Sequence, residues 1–322
     1  MNCTFKQIYS EIRKFNIIYL ARHISPDPDA IASQNALRDS IKLTFPDKKV
    51  CSIGSSVARF KYMGKLDKVD SFDYENGLLI CLDTPNKNRV DGADVDKFKN
   101  IIKIDHHPFV EKFSDVEYSD HNASSTCQVI FELLESTRLK CDKTIAGLLF
   151  MGIVSDTNRF LFDYTSVLTF EIISTMIKKY KINIQELYAK IYERPLNEVR
   201  LFGYMCSNLK VTKNKFAYIE LENDILKSFG ADNVNASSMA GEFNNITEVL
   251  IWAIISYDEK SGLYRVNIRS RGPIINEVAS RFGGGGHIYA SGVRTPDHGV
   301  IEELKHALNE CAKEYIKNNK NG

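Results

Sequence analysis

Four short apolar runs constrain the fold of this chain more than any other feature: FNIIYLA (residues 15–21), KKVCSI (48–53), LLICL (78–82) and IIKI (101–104). Each is too short for a buried helix, and each is rich in Ile, Leu and Val, the pattern of a strand covered on both faces. Between and after them come the amphipathic stretches AIASQNALRDSIKLTF, STCQVIFELLEST and DKTIAGLLFMGIV, the last with Asp142 placed to cap it. Strands alternating with helices predict an α/β domain built on a mostly parallel sheet.

A chain of 322 residues exceeds the length at which one core usually stops growing, so a second domain is expected. A helical zone covers about 165–209, with Pro195 suited to the first turn of its last helix. Beyond it FAYIEL, EVLIWAIISY and LYRVNIRS read as strands, the last two joined through DEKSG as a hairpin. PIINEVASRF and GVIEELKHALNECAKEYIKN read as helices on either side of a Gly-rich segment, with Trp252 in the core and KNNKNG as a frayed tail. The expected organisation is an α/β domain over 1–190, a helical connection over 191–209 and a smaller α+β domain over 210–322.

The 42 basic and 41 acidic residues leave a formal charge of +1, which argues against a protein held to long nucleic acid by bulk charge, while leaving a local basic patch open. No apolar run approaches the roughly 18 to 20 residues that span a bilayer. The opening MNCTFKQIYSEIRKF lacks the parts of a secretory signal. Cysteines 3, 51, 81, 127, 141, 206 and 311 form no CxxC pair, and several sit in apolar segments. Reduced, buried thiols in a cytoplasmic protein are expected, and no cysteine zinc site.

Three of the predicted strands run directly into polar clusters. Arg22-His23-Ile24-Ser25-Pro26-Asp27-Pro28-Asp29 follows the first, Asp83-Thr84 the third, and Asp105-His106-His107 the fourth; Asp156 follows the apolar run LLFMGIVS. The carboxyl ends of strands in an open α/β sheet are where loops converge on a site. Carboxylates gathered there would repel one another unless they took up protons or cations. Asp27, Asp29, Asp83 and Asp156 balance two divalent ions, with His23 and His106 supplying neutral nitrogens. This mixed ligation suits manganese better than magnesium. Two ions about 3.5–4 Å apart can share a hydroxide that attacks phosphorus in line. Each cluster alone has a plainer reading as a turn or a helix cap, and Ser124, Ser125 and Thr126 read as caps. Their joint occurrence points to metal.

RHISPDPDAIAS, CLDT, KIDHHP and GIVSDT resemble the four successive motifs of the DHH phosphoesterase superfamily. RSRGPIINEVASRFGGGGHIYASG resembles the Gly-rich motif of its associated C-terminal domain. The resemblance runs from about residue 20 to 295 and is nearest to the nanoRNase/pAp phosphatase group. It implies that His23, Asp27 and Asp83 hold one manganese, and that Asp29, Asp83, His106 and Asp156 hold the other, with Asp83 bridging. It further implies that Asp105 orients an imidazole and that His107 faces the scissile phosphate as a hydrogen-bond donor or proton source. Ala32, where many members carry glycine, is one departure.

Arg269 and Arg271 leave the end of a predicted strand on the same side, and arginine forks suit phosphates. Gly284, Gly285 and Gly286, within the run from Gly283, would open backbone N–H groups to an anion, with His287 beside them. The family adds Arg271 and His287 as the leading substrate contacts. His121, His298 and His306 sit in polar surroundings and read as exposed. The expected activity is hydrolysis of short single-stranded RNA to mononucleotides and of 3′-phosphoadenosine 5′-phosphate (pAp) to AMP, in a cleft between the domains. Rival readings are a soluble phosphodiesterase for cyclic dinucleotides or their linear products, a pyrophosphatase, and a non-catalytic nucleotide sensor. A homodimer is left open.

Overall fold

In the computed structural model, which describes residues 3–319, the four apolar runs become β1 (Ile17–Ala21), β2 (Lys49–Ser52), β3 (Leu78–Leu82) and β4 (Asn100–Asp105). A fifth strand, β5 (Val116–Ser119), extends the sheet at its edge. Every neighbouring pair is parallel, in the order β2-β1-β3-β4-β5. Their carboxyl ends therefore lie along one edge, as the alternation of strand and helix predicts.

The strands alternate their side chains between two cores. Ile18 and Leu20 of β1, Ile80 and Leu82 of β3, and Ile102 and Ile104 of β4 face the helices. These are α1 (Phe5–Lys14), α2 (Pro28–Thr44), α3 (Thr126–Ser136), α4 (Lys143–Asp156), α5 (Val167–Tyr180) and α6 (Ile184–Tyr192). On the other face Tyr19, Leu79 and Cys81 pack against irregular connections that bring in Phe72, Tyr74 and Phe98. Tyr19 meets Phe72 and Phe98 edge to face, with ring centroids 5.0 and 5.6 Å apart.

Local chemistry sets the helix starts. Asp27 accepts from Ala30 N at 3.1 Å and Pro28 opens α2. Ser125 caps α3 through Gln128 N, and Asp142 caps α4 through Ile145 N at 2.8 Å, as its position in the sequence predicts. The chain from Ile145 to Val154 is buried without a break, so α4 is a central helix, not an amphipathic one. At the amino end, Thr4 and Gln7 form a capping box for α1, which buries Ile8 and Ile12 one turn apart.

The second unit begins at Arg194. It contains α7 (Leu196–Ser207), β6 (Lys210–Val211), β7 (Phe216–Leu221), α8 (Asn223–Ser228), α9 (Asn233–Ser238), β8 (Ile251–Asp258), β9 (Leu263–Ser270), α10 (Asn276–Arg281), β10 (Gly285–His287), β11 (Ala290–Thr295) and α11 (His298–Asn319). The sheet order is β10-β11-β9-β8-β7-β6, antiparallel except for the β7–β8 pair. One face packs on α10 and α11, the other on α7 and α9. Leu201 and Met205 of α7 are buried in that second core, so this part of the helical zone is built into the unit. Pro195 occupies the cap position of α7, just ahead of its first turn. Trp252 is core, and its indole donates to Ala240 O at 2.6 Å. The end of the chain is helical to Asn319; the last three residues of the tail read as frayed lie outside the described ones.

Candidate metal centre

The parallel register of β1, β3 and β4 delivers the three polar clusters to one edge, where Asp83 holds the centre. Its backbone is left-handed, with φ of 52°, immediately beyond β3. Its two oxygens face different histidines: Oδ2 lies 3.4 Å from His23 Nε2, and Oδ1 lies 3.6 Å from His106 Nε2 and 3.5 Å from His107 Nδ1. Asp27 Oδ2 lies 3.8 Å from His23 Nε2, and Asp156 Oδ2 lies 3.3 Å from His106 Nε2. Three overlapping groups result here, His23-Asp27-Asp83, Asp29-His106-Asp156 and Asp83-His106-His107, with the ligand atoms of each within 4.8 Å of one another. Asp156 reaches the cluster from the last turn of α4, whereas the other ligands follow strands.

The histidines are held for ligation through Nε2. His23 Nδ1 lies 2.8 Å from Ile24 O and 3.3 Å from Arg89 Nη2, and His106 Nδ1 donates to Ala123 O at 3.3 Å. A carbonyl can only accept, so His106 Nδ1 carries the proton and, in the neutral ring, His106 Nε2 presents a lone pair to the carboxylates. Between His106 Nε2 and Asp156 Oδ2 two acceptors then confront each other, and Asp156 Oδ2 is buried with no hydrogen-bond partner among the described residues. A proton or a cation must lie there.

The electrostatics agree. Burial, and then the charges of Asp83 and Asp27, push the Asp29 carboxyl well above the carboxylate range. Burial and the charges of Asp29, Asp83 and Asp27 do the same to Asp156. Burial opposes the charge of His23, but Asp27, Asp83 and the Ile24 carbonyl outweigh it and raise its imidazole to about 10. Four carboxylates and two imidazole nitrogens in this state fit two divalent cations. His107 lies at the same cluster, its Nδ1 meeting Asp105 Oδ1 at 2.8 Å and standing 3.5 Å from Asp83 Oδ1, while Asp105 also accepts from the backbone of His106 and His107.

Two contributors escaped the sequence reading. Thr126 is not the cap of α3; Ser125 is. Instead the Thr126 hydroxyl donates to Asp83 Oδ1 at 3.0 Å, and the first amides of α3, Thr126 N and Cys127 N, donate to Asp29 at 2.8 and 2.9 Å. Lys103, fully buried in β4, donates to Pro85 O at 3.2 Å and stands 3.6 Å from Asp105 and 3.2 Å from Glu117. A lysine inside an otherwise apolar strand was the signal, because a buried ammonium requires acids around it.

In the second unit, Arg269 and His287 are both aligned with Ala290 on neighbouring strands, so the two side chains share a sheet face with a methyl between them. Burial lowers the pKa of Arg269, whose Nη1 donates to Ile268 O, and no carboxylate of the described residues forms an ion pair with it. Arg271 does different work. Its guanidinium donates to the carbonyls of Asn244, Ile246, Thr247 and Val249. The glycine run enters the edge strand β10 at Gly285: a Cβ on Gly284 would sit 2.3 Å from Gly292 O, and one on Gly286 2.5 Å from Ala290 O, while Gly285 is open. His298 is exposed, as read, and lies 3.2 Å from Glu220.

Residues 17–153 match the DHH family, N-terminal domain, and residues 213–314 match the DHHA1 domain. The probable bifunctional oligoribonuclease and PAP phosphatase NrnA of Streptococcus mutans is 36% identical, over 94% of this chain and 99% of that protein. The bifunctional oligoribonuclease and PAP phosphatase NrnA of Bacillus subtilis is 33% identical, over 96% and 99%. Among solved structures, an exopolyphosphatase-related protein from Bacteroides fragilis shares the fold, with a TM-score of 0.80 at 23% identity over 96% of this chain and 97% of that one. The chain belongs to the DHH family of metal-dependent phosphoesterases, in the two-domain form that carries a DHHA1 domain.

Proposed function

We propose that this enzyme uses two manganese ions to hydrolyse short RNA oligonucleotides to mononucleotides and pAp to AMP. The observation that carries the two-ion reading is Asp83, whose two oxygens face His23 and His106 separately. His23, Asp27 and Asp83 would hold one ion, and Asp29, Asp83, His106 and Asp156 the other. Bound there, the ions would polarise the phosphate and supply an activated water. The chain's own residues fix the geometry. The amides of α3 hold Asp29 and the Thr126 hydroxyl holds Asp83. Asp105 fixes the proton of His107 on Nδ1, and the carboxylate keeps the ring oriented so that its other nitrogen can serve the leaving oxygen.

Recognition is assigned to Arg269, Gly285 and His287 of the second unit, whose arrangement suits a phosphate away from the scissile one. Gly284 and Gly286 support this by letting β10 lie close to β11. Arg271 enters as the brace of the segment from Asn244 to Val249, and a direct substrate contact would compete with those carbonyls. The substrates are supported by relatives that cover the chain nearly end to end and are named for them; an enzyme acting on such substrates would work in the cytoplasm. No helix of the described residues is long and apolar enough to cross a membrane. The deciding experiment measures kcat/KM with manganese on pAp, a dinucleotide, a five-nucleotide RNA, cyclic di-AMP and pyrophosphate. Preference for pAp and short RNA supports the proposal; preference for the cyclic dinucleotide or for pyrophosphate overturns it.

A further inference from the structure

An ammonium in the middle of a buried strand is unfavourable unless fixed partners replace the water it has left. Lys103 is such a group, fully buried between Ile102 and Ile104, whose side chains turn to the opposite face of β4. On its own face stand Asp105, further along β4, and Glu117, its register partner on β5. Nζ donates to Pro85 O at 3.2 Å and lies 3.2 Å from Glu117 Oε1 and 3.6 Å from Asp105 Oδ2. The ring centroids of Phe113 and Phe109 lie 5.4 and 5.9 Å from it. These contacts join the segments that carry the chemistry, since Pro85 follows Asp83 closely in the chain and Phe109 follows His107.

Asp105 makes the link to His107. It is fully buried, and its two oxygens do different work. Oδ1 accepts from the amides of His106 and His107 and meets His107 Nδ1 at 2.8 Å. Oδ2 has no hydrogen bond, and its one ion-pair partner among the described residues is Lys103. The carboxylate is therefore held at both ends, by the imidazole on one side and on the other by an ammonium that Pro85 and Glu117 keep in place. With the ammonium gone, Oδ2 would be a buried acceptor with no partner, and the carboxylate would turn toward water or another donor. Oδ1 would then leave the line of His107 Nδ1.

We propose that Lys103 is a positioning residue for the hydrolysis: by anchoring Asp105 Oδ2 and the segment of Phe109, it holds the His107 ring toward the leaving oxygen. Fully buried, it acts only through these neighbours. The inference rests on the reading of His107 as the group that serves the leaving oxygen.

Lys103→Met, which keeps the length of the side chain and removes its charge, tests this in the full-length, manganese-loaded protein. Two substrates are compared: bis-p-nitrophenyl phosphate, whose phenolate leaves without help, and a dinucleotide, whose ribose oxygen leaves poorly. On the dinucleotide kcat should fall by about tenfold or more while KM changes by less than about threefold. The loss on bis-p-nitrophenyl phosphate should be smaller by about fivefold or more. Added to His107→Ala, Lys103→Met should cost less than about twofold further, because nothing is left for it to position. If Lys103→Met does not fold, the double variant with Glu117→Gln, which removes the facing charge as well, carries the same measurements. Equal losses on the two substrates, a loss that adds in full to that of His107→Ala, or an unchanged kcat on the dinucleotide overturns the proposal. If His107→Ala itself keeps the wild-type kcat on the dinucleotide, the reading of His107 fails, and the positioning role with it. If His107→Ala is slow and Lys103→Met is not, the role of Lys103 falls alone.

Discussion

Gly152 is the position where packing and catalysis meet most closely. A Cβ built there would lie 2.2 Å from Cys127 Sγ and 3.1 Å from Asp29 Oδ1. Asp156 follows four residues later, on the same face of α4. Gly152→Ala should gain about 1 kcal/mol in helix propensity. Against this, overpacking a tight core costs about 1–3 kcal/mol, so the net loss of stability is small, about 0–2 kcal/mol. The catalytic loss is larger, because α4 or α3 must shift by roughly 1 Å to relieve the clash, and misplacement on that scale costs up to about 10²-fold. The shift would separate Asp156 from His106, or pull the α3 amides from Asp29. Turnover of bis-p-nitrophenyl phosphate with manganese should therefore fall roughly ten- to a hundredfold, while the melting temperature drops by only a few degrees. Cys127→Ala in the same chain removes the sulfur that the new methyl meets and should restore most of the rate. Wild-type turnover by Gly152→Ala, or no recovery in the double variant, would refute the claim that this contact sets the ligand geometry.

The metal-free protein should lose stability as pH rises. Asp29 and Asp156 bind protons more tightly folded than unfolded, so their contribution is lost above the ordinary carboxylate range of about 4. His23, raised from 6.5 to about 10, acts in the same direction, stabilising below the first value and fading toward the second. Manganese at about a hundred times its Kd should add about 2.7 kcal/mol per site, and scanning fluorimetry should find a larger melting shift near pH 8 than near pH 5.5. His107→Ala should retain both ions by elemental mass spectrometry yet lose about 10²–10⁴-fold in kcat; an emptied metal position would instead make His107 a ligand. Arg269→Ala should lower kcat/KM on pAp roughly ten- to a hundredfold with little change in melting, whereas Arg271→Ala should first lower the melting temperature, and the opposite pattern would exchange their roles.

The parts of the fold legible in the sequence are those in which one physical demand dominates. Strands buried on both faces need unbroken Ile, Leu and Val, so β1, β3 and β4 stand out. β5, VEYS, is half-exposed along its length and carries no such run, and it went unread. The second face of the first sheet was equally hidden, because Phe72, Tyr74 and Phe98 cover it from irregular connections where no period advertises burial. α1 was within reach, since Thr4, Gln7, Ile8 and Ile12 carry both a capping box and an apolar stripe.

The candidate site follows the same division. Acids and imidazoles immediately after buried strands are conspicuous in one dimension, because solvation alone gives no reason to place so many there, and parallel pairing then brings their ends together. What a residue type cannot disclose is which of its bonding groups the fold has already used. Arg269 and Arg271 look equivalent in RSRG, two forks two residues apart. In three dimensions Arg271 donates to four carbonyls, while Arg269 is half-buried with one carbonyl and no counter-ion among the described residues. Thr126 and Lys103 make the converse point, since a presumed cap and a lysine within an apolar strand become the partners of Asp83 and Asp105 once α3 and β4 are in position. The chemistry of a phosphoesterase can thus be read from the residues that must be charged, but the division between holding the fold and holding the substrate depends on satisfied hydrogen bonds, which exist only after the chain has folded.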